Sequence, residues 1–184
     1  RLEFLNSLKA KLEAQNIELL FIYGEDHLIK FNNADIDWGI KVKNYSINIL
    51  GKHLYYQPIY SYIKDSDLII VEQATKYINN YILLILSLLK INKIAFWGHG
   101  INFQSNNPNN FAEYVKKIVT KKVDWFFAYT PVSKKKVEEI GVSSNRITTV
   151  YNTIDTKRLI DEKTKWKKED ILKALETITP PGEG

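Results

Sequence analysis

The chain has no cysteine and no methionine among its 184 residues, and only three histidines, His27, His53 and His99. Without cysteine there is no disulfide framework, no thiolate zinc site and no cysteine nucleophile. A structural metal is therefore not expected. Long hydrophobic runs are missing too. The most apolar one, Tyr81 to Leu89, is far shorter than the roughly 20 residues needed to span a bilayer, and it reads as a buried core helix. No secretory signal with a charged start, apolar stretch and small-residue cleavage site is present. The first residue, Arg1, already lies inside what reads as a helix, so a fragment of a longer protein is expected.

Charge excess is small. Lys and Arg number 26 against 21 Asp and Glu, a formal +5, a mild excess that by itself suits an anionic membrane, nucleic acid or phosphorylated small molecules. No nucleic-acid partner is expected, because the excess is slight and no recognised binding motif occurs. What is present, 45% hydrophobic and 26% charged residues, is the balance of a folded globular protein. The length suits one domain, taken as 1–178. The breaker cluster Thr179-Pro-Pro-Gly-Glu-Gly184 reads as a linker over 179–184.

Leu2, Leu5, Leu8 and Leu12 recur at helical spacing, which predicts an amphipathic helix ended by Asn16. Ile17 to Tyr23 is a short apolar run closed by Gly24, as expected of a strand covered on both faces. Residues 25 to 45 carry no clear assignment. Ser46 to Leu50 is a weak strand and Tyr56 to Ile63 a short helix. Strands are predicted at Asp67 to Val71, Lys93 to Trp97, Trp125 to Tyr129 and Ile147 to Tyr151. Helices are predicted between them: Lys76 to Leu89, the face Phe111, Tyr114, Val115, Ile118 and Val119, and the segment from Thr130-Pro131 to Gly141. Thr130 is a natural N-cap with Pro at the first helical position. The alternation points to parallel βαβ units and an α/β fold. Asp155 is a plausible cap for a charged last helix.

In open parallel sheets, ligands bind beyond the carboxyl ends of the strands. Glu72-Gln73, Gly98-His99-Gly100, Tyr129-Thr130 and Asn152 each follow a predicted strand immediately. The histidine stands out, since glycines on both sides suit a close approach of backbone and imidazole to something else. On physical grounds alone His99 also fits an ordinary loop. Glu72 and Gln73 fit a helix cap as well as an acceptor site, Thr130 fits an N-cap, and Asn152 and Asp155 fit turn and cap chemistry. His27 and His53 have no evident partners.

The ordered set "WGHG", then "FFAYTPVSKKKVEEIGVSSNRITTVYNTID", resembles the N-terminal half of GT-B-fold retaining glycosyltransferases of the group 1 (family 4) type. The matching positions are His99, Thr130, Gly141 and Asn152 to Asp155, with Thr153 where Gly is commoner. The resemblance runs from the opening helix to about Leu159. It implies a Rossmann-like open parallel sheet flanked by helices, short of the first strand such proteins begin with. It also implies transfer of a sugar from a nucleotide diphosphate sugar to a saccharide or lipid-linked acceptor, with His99 at the reacting centre. Gly98, Gly100, Glu72, Gln73, Thr130 and Asn152 would line the substrate. The resemblance implies no cofactor beyond the donor substrate and no obligatory metal. A C-terminal domain, absent here, would bind most of the donor, so this chain alone is expected to be inactive.

Nucleotide-sugar supply places such an enzyme in the cytoplasm. The lysines at 116, 117, 121, 122 and 134 to 136 form solvent faces near Tyr114 and Trp125 to Phe127, which suits peripheral contact with an anionic membrane at its inner face, although Trp125 to Phe127 fit a sheet core better. The competing reading is a non-catalytic α/β binding or regulatory module of a surface-polysaccharide system.

Overall fold

The computed structural model describes residues 2–24, 36–49, 51–100, 111–151 and 156–165. They fall into two units, Arg1–Leu19 with Thr153–Gly184, and Leu20–Asn152. Asn152, Asp155, the loop 102–110, His27 and the linker 179–184 lie outside the described residues.

In the first unit, helix α1 (Leu2–Glu13) ends as its sequence predicts. Asn16 takes a left-handed φ of 58°, and Ile17 N–H reaches back to the Leu12 carbonyl at 3.0 Å, the closure a C-terminal turn uses.

The second unit opens with β1 (Ile22–Gly24) and β2 (Ile40–Val42), a parallel pair. The strand expected over Ile17 to Tyr23 is thus shorter, because only three residues find a backbone partner. Next, β3 (Tyr45–Ile49) and β4 (Lys52–Tyr56) form an antiparallel hairpin around Gly51. A short helix α2 (Tyr60–Ile63) follows.

The rest of the unit is the α/β arrangement the sequence predicts. Strand β5 (Leu68–Glu72), helix α3 (Ile78–Leu88), β6 (Lys93–Gly98), α4 (Phe111–Lys122), β7 (Trp125–Ala128), α5 (Pro131–Ile140) and β8 (Ile147–Thr149) succeed one another. The four strands pair in parallel in the order β5-β6-β7-β8. Among the described residues this sheet and the β1–β2 pair are not joined by backbone pairing. In the first unit, the charged helix α6 (Thr156–Lys165) ends the described chain.

Interior position explains the apolar runs. Ile94, Ala95 and Phe96 of β6 and Phe126 and Ala128 of β7 are buried, together with Val137 of α5. Strands covered on both faces need no polar alternation. A fully buried large apolar side chain contributes about 1.5–3 kcal/mol, so Phe96 and Phe126 are among the largest single contributors. The expectation that Trp125 to Phe127 serve the sheet is met by Phe126, which is fully buried.

One expectation is met only in part. The run Tyr81 to Leu89 is a helix buried on one face: α3 turns Asn79, Asn80, Leu83 and Leu84 inward, while Ile82, Ile85, Leu88 and Leu89 are exposed. Its inward asparagines are satisfied by backbone, Asn79 by the N–H and carbonyl of Gln57 at 2.8 and 2.7 Å. Asn80 donates to the carbonyls of Glu72 and Ala74 at 2.8 and 3.0 Å. Leu83 and Leu84 in the core and these polar contacts together anchor the helix, which leaves Ile82, Ile85, Leu88 and Leu89 facing outward.

Candidate functional site

Parallel pairing aligns the carboxyl ends of β5, β6 and β7. Glu72 stands opposite Trp97, and Gly98 opposite Ala128. The pairing continues past the strands, with Gln73 N–H donating to the Trp97 carbonyl at 3.0 Å and Tyr129 N–H to the Gly98 carbonyl at 3.1 Å. Gln73, the Gly98-His99-Gly100 loop and Thr130 are therefore brought to one edge.

Gln73 holds the loop. Its Oε1 accepts from Gly100 N–H at 2.9 Å, and its Nε2 donates to the Gly100 carbonyl at 3.1 Å and to Thr120 Oγ1 at 2.6 Å. Thr120, fully buried on α4, donates its hydroxyl to the Lys116 carbonyl at 2.7 Å. The Gln73 amide is thus engaged on both sides.

Packing restricts both glycines, and backbone conformation restricts Gly100 as well. A methyl at Gly98 would lie 3.1 Å from Gln73 Cβ. At Gly100, where φ is +82°, a methyl would lie 2.5 Å from Val137 Cγ2. The loop is pressed between Gln73 on one side and α5 on the other.

Between these glycines His99 is exposed. Its Nδ1 lies 3.4 Å from Ser133 Oγ, and its ring meets Tyr129 edge-on at a centroid distance of 4.6 Å. Ser133 is fully buried at the third position of α5. Its N–H donates to Thr130 Oγ1 at 3.0 Å, and the two hydroxyl oxygens are also 3.0 Å apart. Thr130 is therefore the N-cap its sequence predicts, and through Ser133 it is linked to the imidazole. Gly141, with φ of 108°, closes the same helix.

Glu72 is exposed at the end of β5, and its carbonyl accepts from Asn80. Asn152 lies outside the described residues. Sequence reasoning missed Ser133 and Thr120. The first could have been noticed three residues after an N-cap threonine; the second carried no signal. A small open depression is lined in part by Gln73, Thr75, Asn80, Tyr81, Phe96 and Lys116. It adjoins the clamp and does not include His99. Tyr81 donates its hydroxyl to the Thr75 carbonyl at 3.0 Å, and burial pushes its phenol above the ordinary value. Among the described residues, no group of three or more His, Asp or Glu side chains is placed to hold a metal.

The arrangement is an exposed imidazole on a rigid loop at the carboxyl end of an interior parallel strand. No protein-family model matches the chain, and no curated protein sequence matches it. Among solved structures, UDP-GlcNAc 2-epimerase from Methanocaldococcus jannaschii superposes with a TM-score of 0.51 at 19% sequence identity over 96% of this chain. The likeness is one of fold. This chain is a Rossmann-like α/β unit, consistent with one half of a GT-B-type architecture. The match takes up 50% of that neighbour's length, so the Rossmann-like unit spans about half of the protein it superposes on. In such a unit the edge holding Gln73, His99 and Thr130 is where a ligand crevice forms.

Proposed function

We propose that this chain is the acceptor-side half of a glycosyltransferase, which moves a sugar from a nucleotide diphosphate sugar to a hydroxyl of a saccharide or lipid-linked acceptor. The observation that supports this reading is the placement of His99. An exposed imidazole, braced by Ser133 and carried on a loop that Gln73 clamps, stands at the strand end where α/β sheets bind ligands.

In this reading His99 meets the donor sugar at the reacting centre. The acceptor oxygen bonds to the anomeric carbon as the bond to the diphosphate oxygen breaks, and the hydroxyl proton leaves with the nucleoside diphosphate. Configuration is retained. Glu72 serves the acceptor hydroxyl, Asn152 is assigned to substrate binding from the sequence, and Gln73, Gly98, Gly100 and Thr130 fix the loop and helix that carry the imidazole. A C-terminal domain supplies positive groups for the departing diphosphate, worth several kcal/mol in a preorganised site, and no metal is required. The reaction draws on cytoplasmic nucleotide sugar.

A second reading is favoured by the structural neighbour, whose name states action on UDP-GlcNAc at C2. Both readings share a sugar-nucleotide substrate. They separate in one experiment: the complete polypeptide is incubated with a panel of nucleotide sugars, with and without saccharide and lipid-linked acceptors. Acceptor-dependent release of nucleoside diphosphate supports transfer. An isomerised nucleotide sugar formed without acceptor supports epimerisation, and neither product favours the non-catalytic binding or regulatory module.

A further inference from the structure

Helix α3 carries no charged residue at all, and its outward stripe is apolar. Ile82, Ile85, Leu88 and Leu89 are between 42% and 65% exposed, and Ile91 beyond the helix is exposed as well. A helix of a water-soluble domain ordinarily turns this stripe inward. Here the inward side is taken by Asn79, Asn80, Leu83 and Leu84, which leaves a second apolar stripe in solvent. Helix α4 lies in contact with α3 and exposes Tyr114 and Ile118 one turn apart. Lys121 and Lys122, both exposed, continue beyond them.

Charge is concentrated on the same stretch. From Lys76 to Lys122 the sequence holds seven lysines, no arginine and a single carboxylate, Glu113. That +6 exceeds the +5 of the entire chain, so the rest of the molecule is close to neutral. Both helices run back from the carboxyl edge of the sheet to its amino edge, because the strands they connect are parallel. Lys90, Lys121 and Lys122 therefore gather at the edge opposite His99.

We propose that the α3–α4 face docks on the surface of an anionic lipid bilayer. Exposed aliphatic side chains flanked by lysines are the composition of an interfacial membrane surface, where the apolar groups enter the acyl boundary and the ammonium groups meet anionic headgroups. A second copy of this chain is disfavoured, because pairing two such positive faces sets like charges against each other. A protein partner is disfavoured because lysine is depleted at protein interfaces, where arginine and aromatic residues are enriched. No helix of the described residues is long and apolar enough to cross a membrane, so the contact is peripheral. The proposal does not rest on the sugar-transfer reading.

The test is co-sedimentation of the full chain with vesicles of phosphatidylcholine alone or mixed with phosphatidylglycerol, together with sedimentation velocity of the lipid-free protein. The proposal predicts binding to the anionic vesicles, weakened by added salt. At about 1 kcal/mol per lysine near an anionic surface, Lys121→Ser with Lys122→Ser lowers the partition coefficient about thirtyfold. Ile85→Ser with Leu89→Ser lowers it at least about tenfold. All four positions are exposed, so the variants are expected to unfold thermally like the parent. Absence of binding to anionic vesicles overturns the proposal. So does a lipid-free dimer that Ile85→Ser with Leu89→Ser dissociates, which would assign the face to a second copy.

Discussion

Gln73 and Gly100 exchange two hydrogen bonds across the ends of neighbouring parallel strands, one in each direction, at 2.9 and 3.1 Å. This exchange, rather than the loop sequence alone, fixes where His99 stands. Replacing the amide with an apolar group of similar size leaves the buried Gly100 N–H without its acceptor, at a cost of about 1–3 kcal/mol. Gln73→Leu is therefore expected to lower the urea midpoint of the chain and to speed hydrogen exchange at the Gly100 amide. An unchanged midpoint would show that the clamp contributes nothing.

The glycines on either side of His99 should differ in their tolerance of a methyl group. Gly100→Ala meets both a left-handed φ and Val137 Cγ2 at 2.5 Å. The backbone term alone costs about 1–2 kcal/mol, and overpacking adds about 1–3 kcal/mol. Gly98→Ala meets only Gln73, at 3.1 Å, and should cost less. Denaturant unfolding of the two variants checks the order. Adding Val137→Ala to Gly100→Ala should recover the packing part and leave the backbone part.

Thr130 caps α5 through its hydroxyl and, by way of Ser133, reaches His99. Thr130→Ala is expected to cost about 1 kcal/mol, within the range of lost N-caps, and Thr130→Ser to restore most of it. The same pair should report on His99. Its imidazole resonances, followed by heteronuclear NMR, are expected to shift in Thr130→Ala and to return in Thr130→Ser.

Burial raises the Tyr81 phenol above its ordinary value of 10.0. The folded chain therefore holds the phenolic proton more tightly than the unfolded chain does. The corresponding stability is fully present below the unfolded value and is lost as pH rises through the folded one. Tyr81→Phe also removes the hydrogen bond to the Thr75 carbonyl, worth about 1 kcal/mol. The wild type should exceed the variant in urea stability at about pH 9 and lose that advantage towards about pH 11. An equal difference at both values would contradict the shift.

The interior of the sheet was legible because β6 is buried on both faces and β7 is buried on one and half-buried on the other, and an unbroken apolar run bounded by turn residues has few other readings. Strand β4 was not, since Gly51, around which its hairpin turns, follows a leucine in sequence and not the Asn or Asp that marks two-residue turns. Helix α3 was legible only in part, for a different reason. Leucine and isoleucine occupy nearly all of its sides, so periodicity does not tell which side meets the sheet. Only the structure shows that Asn79 and Asn80 face inward.

At the site, the glycines drew attention to His99, and the strand ends placed Gln73 and Thr130 nearby. The partners that fix the imidazole lie far along the chain. Ser133 is 34 residues from His99, and Thr120 is 47 from Gln73. Pairings at that separation leave no trace in local pattern, because they depend on how two helices pack on the same sheet.

The central claim is that His99 stands at the reacting centre of a sugar-transfer site. The most direct measurement is acceptor-dependent release of nucleoside diphosphate by the complete polypeptide, comparing wild type with His99→Ala. Because His99 is exposed, the variant should stay folded, which circular dichroism verifies. The account predicts a fall in turnover of about a hundredfold or more, the scale of losing a positioned catalytic group. Turnover within a factor of about two of wild type would contradict it and return the histidine to the role of a loop residue.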